Sequence, residues 1–382
     1  MPGIRFSFLI LLLISQSAYC QITSIDTSAV NIVFTADVHY GITRKEFRGH
    51  KDVPAKDVNA VLVAQMNTLP SLVLPDDGGI NAGNKINTVD YLMEGGDISN
   101  RMEPPVQTAT ASWAQFENDF IKDLKLTGLD GRPARLLLIP GNHDASNAIG
   151  YPKPLNPITD PTAMINMYNL EMKPQTPLTQ DNYDYETDKI NYSRYINGVH
   201  FVFVTIWPDS VERIWMKKDL DTVATTTPVI IVAHDPPSCD ARHFTNPLPP
   251  HEITSTAKFQ NLVAENYKDG SDNAEDRITD KEQRGFVAFL KAHPNIKAYF
   301  HGHENWTEFY TYKGPDNDVY LPVFRVDSPM KGKYSSKDET LLSFELITFN
   351  RQKLTVRECL WNTKPSDPHK KIKFSKSSTI ML

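Results

Sequence analysis

The sequence predicts an α/β fold. Apolar runs of strand length alternate with segments of helical periodicity, and five of the runs end in groups able to bind a ligand. Those ends are Asp37-x-His39, Gly96–Asp97, Gly141–Asn142–His143–Asp144, His234 and Gly302–His303-x-Asn305. In open α/β sheets ligands bind at the carboxyl ends of strands, where loops converge on one crevice.

The elements follow in order. Residues 1–20 read as a secretory signal: Arg5 precedes an apolar run from Phe6 to Ile14, broken only by Ser7 and far too short to span a bilayer. Cleavage is expected after Cys20, which places the protein outside the cell or in the periplasm. A lipid anchor on Cys20 fits less well, because bulky Tyr19 stands where a small residue is needed. Residues 21–382 are expected to form one large domain, since no Pro/Gly-rich linker divides them. "AVNIVFTADVH" is a strand ending at Asp37 and His39, and residues 56–72 have helical periodicity. A loop rich in Gly, Asp and Asn follows from Pro75 to Asn87. "TVDYLMEGGDISN" is a second strand, "ATASWAQFENDFIKDLKL" an amphipathic helix, and "ARLLLIPGNHD" a third strand.

Residues 150–182, rich in Pro and Asn, are expected to be an irregular insertion near the site. "YSRYINGVHFVFVTI" reads as a hairpin turning at Asn197–Gly198, and "ERIWMKKDLDTV" as a helix. "PVIIVAHDPP" and "IKAYFHGH" are buried strands. From 320 to 360, alternation of apolar and polar residues predicts antiparallel strands.

Composition narrows the function. A net charge of −6 gives no electrostatic case for a nucleic-acid polymer or an anionic membrane as partner. No later segment is apolar for long enough to be transmembrane. Cys239 and Cys359 either pair or remain buried thiols. A carboxylate, imidazole and amide-oxygen donor set with no thiolate suits borderline divalent metals. Residues two apart on an extended segment face the same way, so Asp37 with His39, and His303 with Asn305, are expected to reach inward together. Taken singly, Asp37 is a cap, Gly95–Gly96 a turn and His234 a structural histidine; taken together they point to metal. His200 is read as structural, and Arg242 and His243 as a solvated loop.

The five motifs, in this order from about Ile32 to Asn305, resemble the calcineurin-like metallophosphoesterase superfamily. The resemblance implies a four-layer α/β/β/α sandwich with two mixed β-sheets and a two-metal site at the strand ends. It implies that Asp37 and His39 bind the first of two divalent ions (Mn, Fe, Zn or Mg), that Asp97 bridges both, and that Asn142, His234 and His303 bind the second. The family's last histidine falls on Asn305, whose neutral amide oxygen tilts the first site toward Mn or Mg; His301 is the alternative donor. The resemblance further implies that a hydroxide acidified by the metals would attack phosphorus, that His143 would protonate the leaving oxygen, and that Asp144 would orient that imidazole.

Asn100 stands where purple acid phosphatases carry a metal-binding tyrosine, so an iron–tyrosinate centre is not expected. Asn100, Arg101 and Arg44 are candidates for substrate contact, with Lys45 and Arg48 nearby. The expected activity is hydrolysis of small phosphate mono- or diesters. The alternatives are a strict phosphodiesterase acting on nucleotides, glycerophosphodiesters or phospholipid head groups, and a non-catalytic binding protein on the same fold. Asn305 opens a glycosylation-type triplet, read as coincidence because a glycan there blocks the site.

Overall fold

A computed structural model describes residues 26–100, 107–147, 149, 158–238, 240–249, 251, 260, 280–367 and 372–382. The signal segment, Arg101 and Cys239 lie outside the described residues. In chain order the strands are β1 (Val30–Thr35), β2 (Thr43–Phe47), β3 (His50–Pro54), β4 (Tyr91–Glu94), β5 (Arg135–Leu138), β6 (Tyr192–Ile196) and β7 (Val199–Phe203). They continue as β8 (Val229–Val232), β9 (Ile296–His301), β10 (Glu308–Tyr312), β11 (Leu321–Arg325), β12 (Ser343–Phe349), β13 (Lys353–Leu360) and β14 (Lys373–Met381). The α-helices are α1 (Ala55–Met66), α2 (Ala109–Phe116), α3 (Asn142–Ala145), α4 (Thr162–Met172), α5 (Ser210–Leu220) and α6 (Asp280–Ala292). No helix among the described residues is long and apolar enough to cross a membrane.

Two six-stranded mixed sheets organise these elements, ordered β14-β13-β12-β1-β4-β5 and β10-β11-β9-β8-β7-β6. They meet through aromatic contacts: Phe34 of β1 lies edge-on to Phe300 of β9 at 5.6 Å, and Phe201 of β7 to Phe349 of β12 at 5.3 Å. Strands β1, β8 and β12 are buried at every residue; β8 is apolar throughout, whereas β1 and β12 also bury polar residues such as Asn31, Glu345 and Thr348. Helix α6 covers the second sheet, with Phe286 against Tyr299. The architecture is the α/β fold with two mixed sheets that the sequence predicts.

The parallel pairs place the site. β1, β4 and β5 are mutually parallel in one sheet, and β7, β8, β9 and β11 in the other. Their carboxyl ends carry Asp37 and His39, Asp97, Asn142 and His143, His234, and His303.

Several local expectations change. The first loop, 41–57, contains the β2–β3 hairpin as well as the start of α1. Residues 158–182 are not wholly irregular: α4 forms there because Ala163, Met164 and Met167 supply an apolar face that the molecule buries. The helix predicted from Ala109 loosens after Phe116 into a turn of π-helix over Glu117–Lys122. Asn197 and Gly198 make the predicted hairpin turn, both at positive φ. Cys359 is a buried free thiol.

Candidate metal centre

The first loops lie against each other as a continuation of the β1–β4 ladder. The amides of Asp37, His39 and Tyr40 donate to the carbonyls of Gly96, Asp97 and Ile98 at 2.8, 2.9 and 2.8 Å. This brings the Asp-x-His and Gly-Asp motifs side by side. The loops are not extended, as alternation had suggested. Asp37, His39, Asp97, His303 and Asn305 have φ of 58, 42, 60, 63 and 62°. Left-handed backbone at non-glycine residues costs about 1–2 kcal/mol each, so this edge stores strain where the polar groups converge. The glycines in the motifs have a steric reason. A Cβ on Gly141 would overlap Asp97 Oδ1, and one on Gly302 would sit 2.5 Å from Asp37 Oδ2.

Asp97 is the hub. Its Oδ1 accepts from the His143 amide at 2.8 Å. Its Oδ2 lies 3.5 Å from His234 Nε2, 3.8 Å from His39 Nε2 and 4.0 Å from His143 Nε2. Two clusters with metal-ligand spacing share it, His39–Asp97–His143 and Asp97–His234–His303. The Asp37 carboxylate closes the first side, with Oδ1 3.6 Å from His39 Nε2 and Oδ2 accepting from the His303 amide at 2.9 Å.

The donor atoms are the decisive feature. Asp37 Oδ1, both nitrogens of His39, Asn142 Oδ1, His234 Nε2 and Asn305 Oδ1 are buried without a hydrogen-bond partner. Buried polar atoms are nearly always paired, and six orphans at one edge of a protein are expensive unless an ion takes them. In three of these side chains the opposite end is tied down. Asn142 Nδ2 donates to Ile149 O at 3.0 Å, Asn305 Nδ2 to His303 O at 2.6 Å, and His234 Nδ1 to Gly95 O at 2.8 Å. The Gly95 carbonyl only accepts, so His234 Nδ1 carries a proton, and Nε2 is the nitrogen that faces Asp97 and is open to a cation, whether a proton or a metal ion.

Protonation follows the same logic. Burial holds the His39 and His303 imidazoles low, His303 at about 3, so both are neutral and able to ligate. Burial raises Asp37 to about 7, despite the neighbouring His234. For Asp97 burial pushes upward too, but His234 and His143 outweigh it and hold the carboxyl well below the usual range. Burial alone would lower His234; the Asp97 carboxylate wins and favours a positive charge at that nitrogen.

The sequence model of the family described as calcineurin-like phosphoesterase matches residues 30–307, well over half of the chain. The chain belongs to the calcineurin-like phosphoesterase family. Membership supports a hydrolase acting on phosphoric esters, and the His/Asp clusters agree with divalent-metal binding. Similar solved structures include a dimetal phosphatase from Danio rerio, at 9% identity over 92% of this chain and 98% of that one, with a TM-score of 0.49. They also include PhoD, at 8% identity over 92% and 70%, TM-score 0.48. A third is GAP50, the anchor in the inner membrane complex of Plasmodium, at 12% identity over 91% and 90%, TM-score 0.39. Among curated proteins, none matches the chain.

Some expected roles do not survive in this phosphoesterase. Asp144 does not orient His143. Its carboxylate accepts the amides of Ile98, Ser99 and Gly141 at 3.2, 2.8 and 2.9 Å, so it fastens the Gly-Asp turn to the Gly-Asn-His turn. Lys331 Nζ lies 3.3 Å from His143 Nε2. Arg44 is not a substrate arm: it is buried, donating to the carbonyls of Glu46, Pro329 and Ser335. His301 has both nitrogens engaged, with Gly302 O and the Tyr310 hydroxyl at 2.9 Å each, which leaves Asn305 as the residue with a spare donor. Asn100 is buried with Oδ1 unpartnered. His200 is structural, bound to Asp219 at 2.6 Å.

Sequence reasoning missed His243 and Asp235. His243 is buried rather than solvated, with Nδ1 2.7 Å from both Asp235 oxygens and its ring edge-on to His303 at 4.4 Å. The pair braces His303 from behind. The only signal for it is an Asp directly after His234, which looks like any strand-end carboxylate.

Proposed function

We propose that the protein is an extracytoplasmic dinuclear metal phosphoesterase that hydrolyses phosphate mono- or diesters. The observation that carries this reading is the set of buried, unpartnered donor atoms around Asp97. Asp37 and His39 would hold one divalent ion, with Asn305 completing it through Oδ1. Asn142, His234 and His303 would hold the other, and Asp97 would bridge the pair. Such ions acidify water and neutralise charge on phosphoryl oxygens.

The side chains do the rest. Asp97 is positioned by the His143 amide, so the bridging carboxylate and the acid residue are set by one contact. His143 stands at the open side of the hub, less buried than its neighbours, with Nε2 facing Asp97 Oδ2 and Lys331. It would give a proton to the leaving oxygen and later recover it. Asn305 in place of imidazole presents a neutral oxygen and favours a harder ion, Mn or Mg over Zn, on the first side. The N-terminal segment supports export, with residues 21–382 as one catalytic domain.

Elemental analysis of the purified protein, paired with turnover of p-nitrophenyl phosphate and its bis-ester, tests the reading. Two divalent ions per chain and turnover of either ester are the expected results. A metal-free chain with no turnover of either ester under metal supplementation would overturn it.

A further inference from the structure

Lys331 lies beyond the segment that matches the family, on the loop after β11, yet its ammonium reaches His143 Nε2 at 3.3 Å. A surface lysine arriving there by chance would sit on an unrestrained loop. This loop is held by five hydrogen bonds and one tight packing contact. The Ser328 hydroxyl donates to Asp37 O at 2.8 Å and accepts the amides of Met330 and Lys331 at 3.1 and 2.9 Å. The buried Arg44 guanidinium donates to the carbonyls of Pro329, at 2.7 Å, and Ser335. Gly332 packs so tightly that an added Cβ would overlap Ser335 Oγ and lie 2.6 Å from Asp327 Oδ1. Both ends of the bracket, Asp37 and Arg44, belong to the first strand and its loop. The ammonium therefore keeps its place relative to the hub.

We infer that Lys331 is a phosphoryl-binding residue, whose ammonium takes a non-bridging oxygen of the ester beside His143. This rests on the phosphoesterase reading and adds a specificity to it. An ammonium donates to any phosphoryl oxygen as a compact point charge. A monoester dianion carries more charge on its non-bridging oxygens than a diester, in which one of them is replaced by an ester oxygen. Lys331 should accordingly favour monoesters, and should bind the product phosphate too.

The test uses the full metal-loaded protein and inorganic phosphate as the probe. Calorimetric titration should show the phosphate Kd rising about tenfold in Lys331→Met, as loss of one charge-assisted hydrogen bond implies, with Lys331→Arg recovering most of it. The same substitution should lower kcat/KM for p-nitrophenyl phosphate about tenfold and for the bis-ester about two- to threefold, with metal content unchanged. Lys331→Gln, polar and of similar reach, repeats the comparison should the Met variant lose its fold. An unchanged phosphate Kd, or equal losses for mono- and diester, overturns the inference while leaving the phosphoesterase reading intact. A wild-type protein that holds metal but turns over neither ester and does not bind phosphate overturns both.

Discussion

Two buried charged regions of this molecule are built in opposite ways. Arg357, on β13, is fully buried, and every part of its guanidinium is used: Nε and Nη2 grip the two Asp77 oxygens at 2.8 and 3.0 Å, Nη2 also donates to Ile80 O at 2.9 Å, and Nη1 reaches Thr348 Oγ1 at 3.3 Å. Around Asp97, by contrast, Asp37, Asn142, His234 and Asn305 are anchored at one end and left without a partner at the other, and His39 has no partner at either ring nitrogen. A buried charge satisfied by the protein itself holds the fold together; donors buried without partners lower stability and are retained for a ligand. Substitutions should therefore separate cleanly into those that cost function and those that cost stability.

The largest expected effect is on the hub. Asp97→Ala should remove both metals and lower turnover by more than the roughly 10³-fold typical of losing one oriented stabilising group. Two metals per chain in that variant, by elemental analysis, would refute the bridging role. His143→Ala should lower turnover about 10²–10⁴-fold with metal content intact, the usual worth of a general acid. The loss should be smaller for p-nitrophenyl than for alkyl esters, because a good leaving group needs little protonation; equal losses would rule out the acid role.

Arg357→Met tests the other region. Removing one partner of a buried ion pair costs about 3 kcal/mol, seen as a lower denaturant midpoint with kcat/KM and metal content unchanged. A variant that lost activity without losing stability would erase the contrast.

Asn305→His should act more gently. Imidazole is the better donor for Zn, so Zn should survive dialysis against chelator for longer and the preference for Mn or Mg should shrink. Asn305→Ala should loosen one metal only; if neither substitution changes metal retention, Asn305 is not a ligand.

The smallest effect is a pH dependence. Burial tends to raise Asp77, but its hydrogen bonds and charge contact with Arg357 prevail and lower it. A carboxyl with a lowered folded pKa contributes stability that is full above its unfolded value, near pH 4, and is lost as the pH falls through the folded value. Asp77→Asn should flatten the acid limb of the stability curve below about pH 4. An unchanged acid limb would show that the pair titrates elsewhere.

What the sequence determined by itself was the apolar strands and which polar residues stand just past their ends. Apolar runs such as "VNIVFT" and "VIIV" predicted the strands, and the residues just past them, Asp37, His39, Asp97, Asn142, His143, His234 and His303, predicted the hub, because a strand delivers its own carboxyl end to the sheet edge. The helical segment of 158–182 was hidden by its prolines and asparagines, and β14 by its polar alternation.

What only the tertiary structure decided was the use of side chains that meet partners from distant segments. Arg44 reads as a phosphate fork until the loop at Pro329 and Ser335 lies over it. Asp144 reads as the partner of His143 until three amides claim its oxygens. His301 stands as the alternative to Asn305 until Tyr310, brought alongside by β10, occupies the histidine. Lys331 and His243 carry no motif at all. A hydrogen bond spends a polar group on whichever partner the fold brings within about 3 Å, and no spacing in a linear chain records that choice.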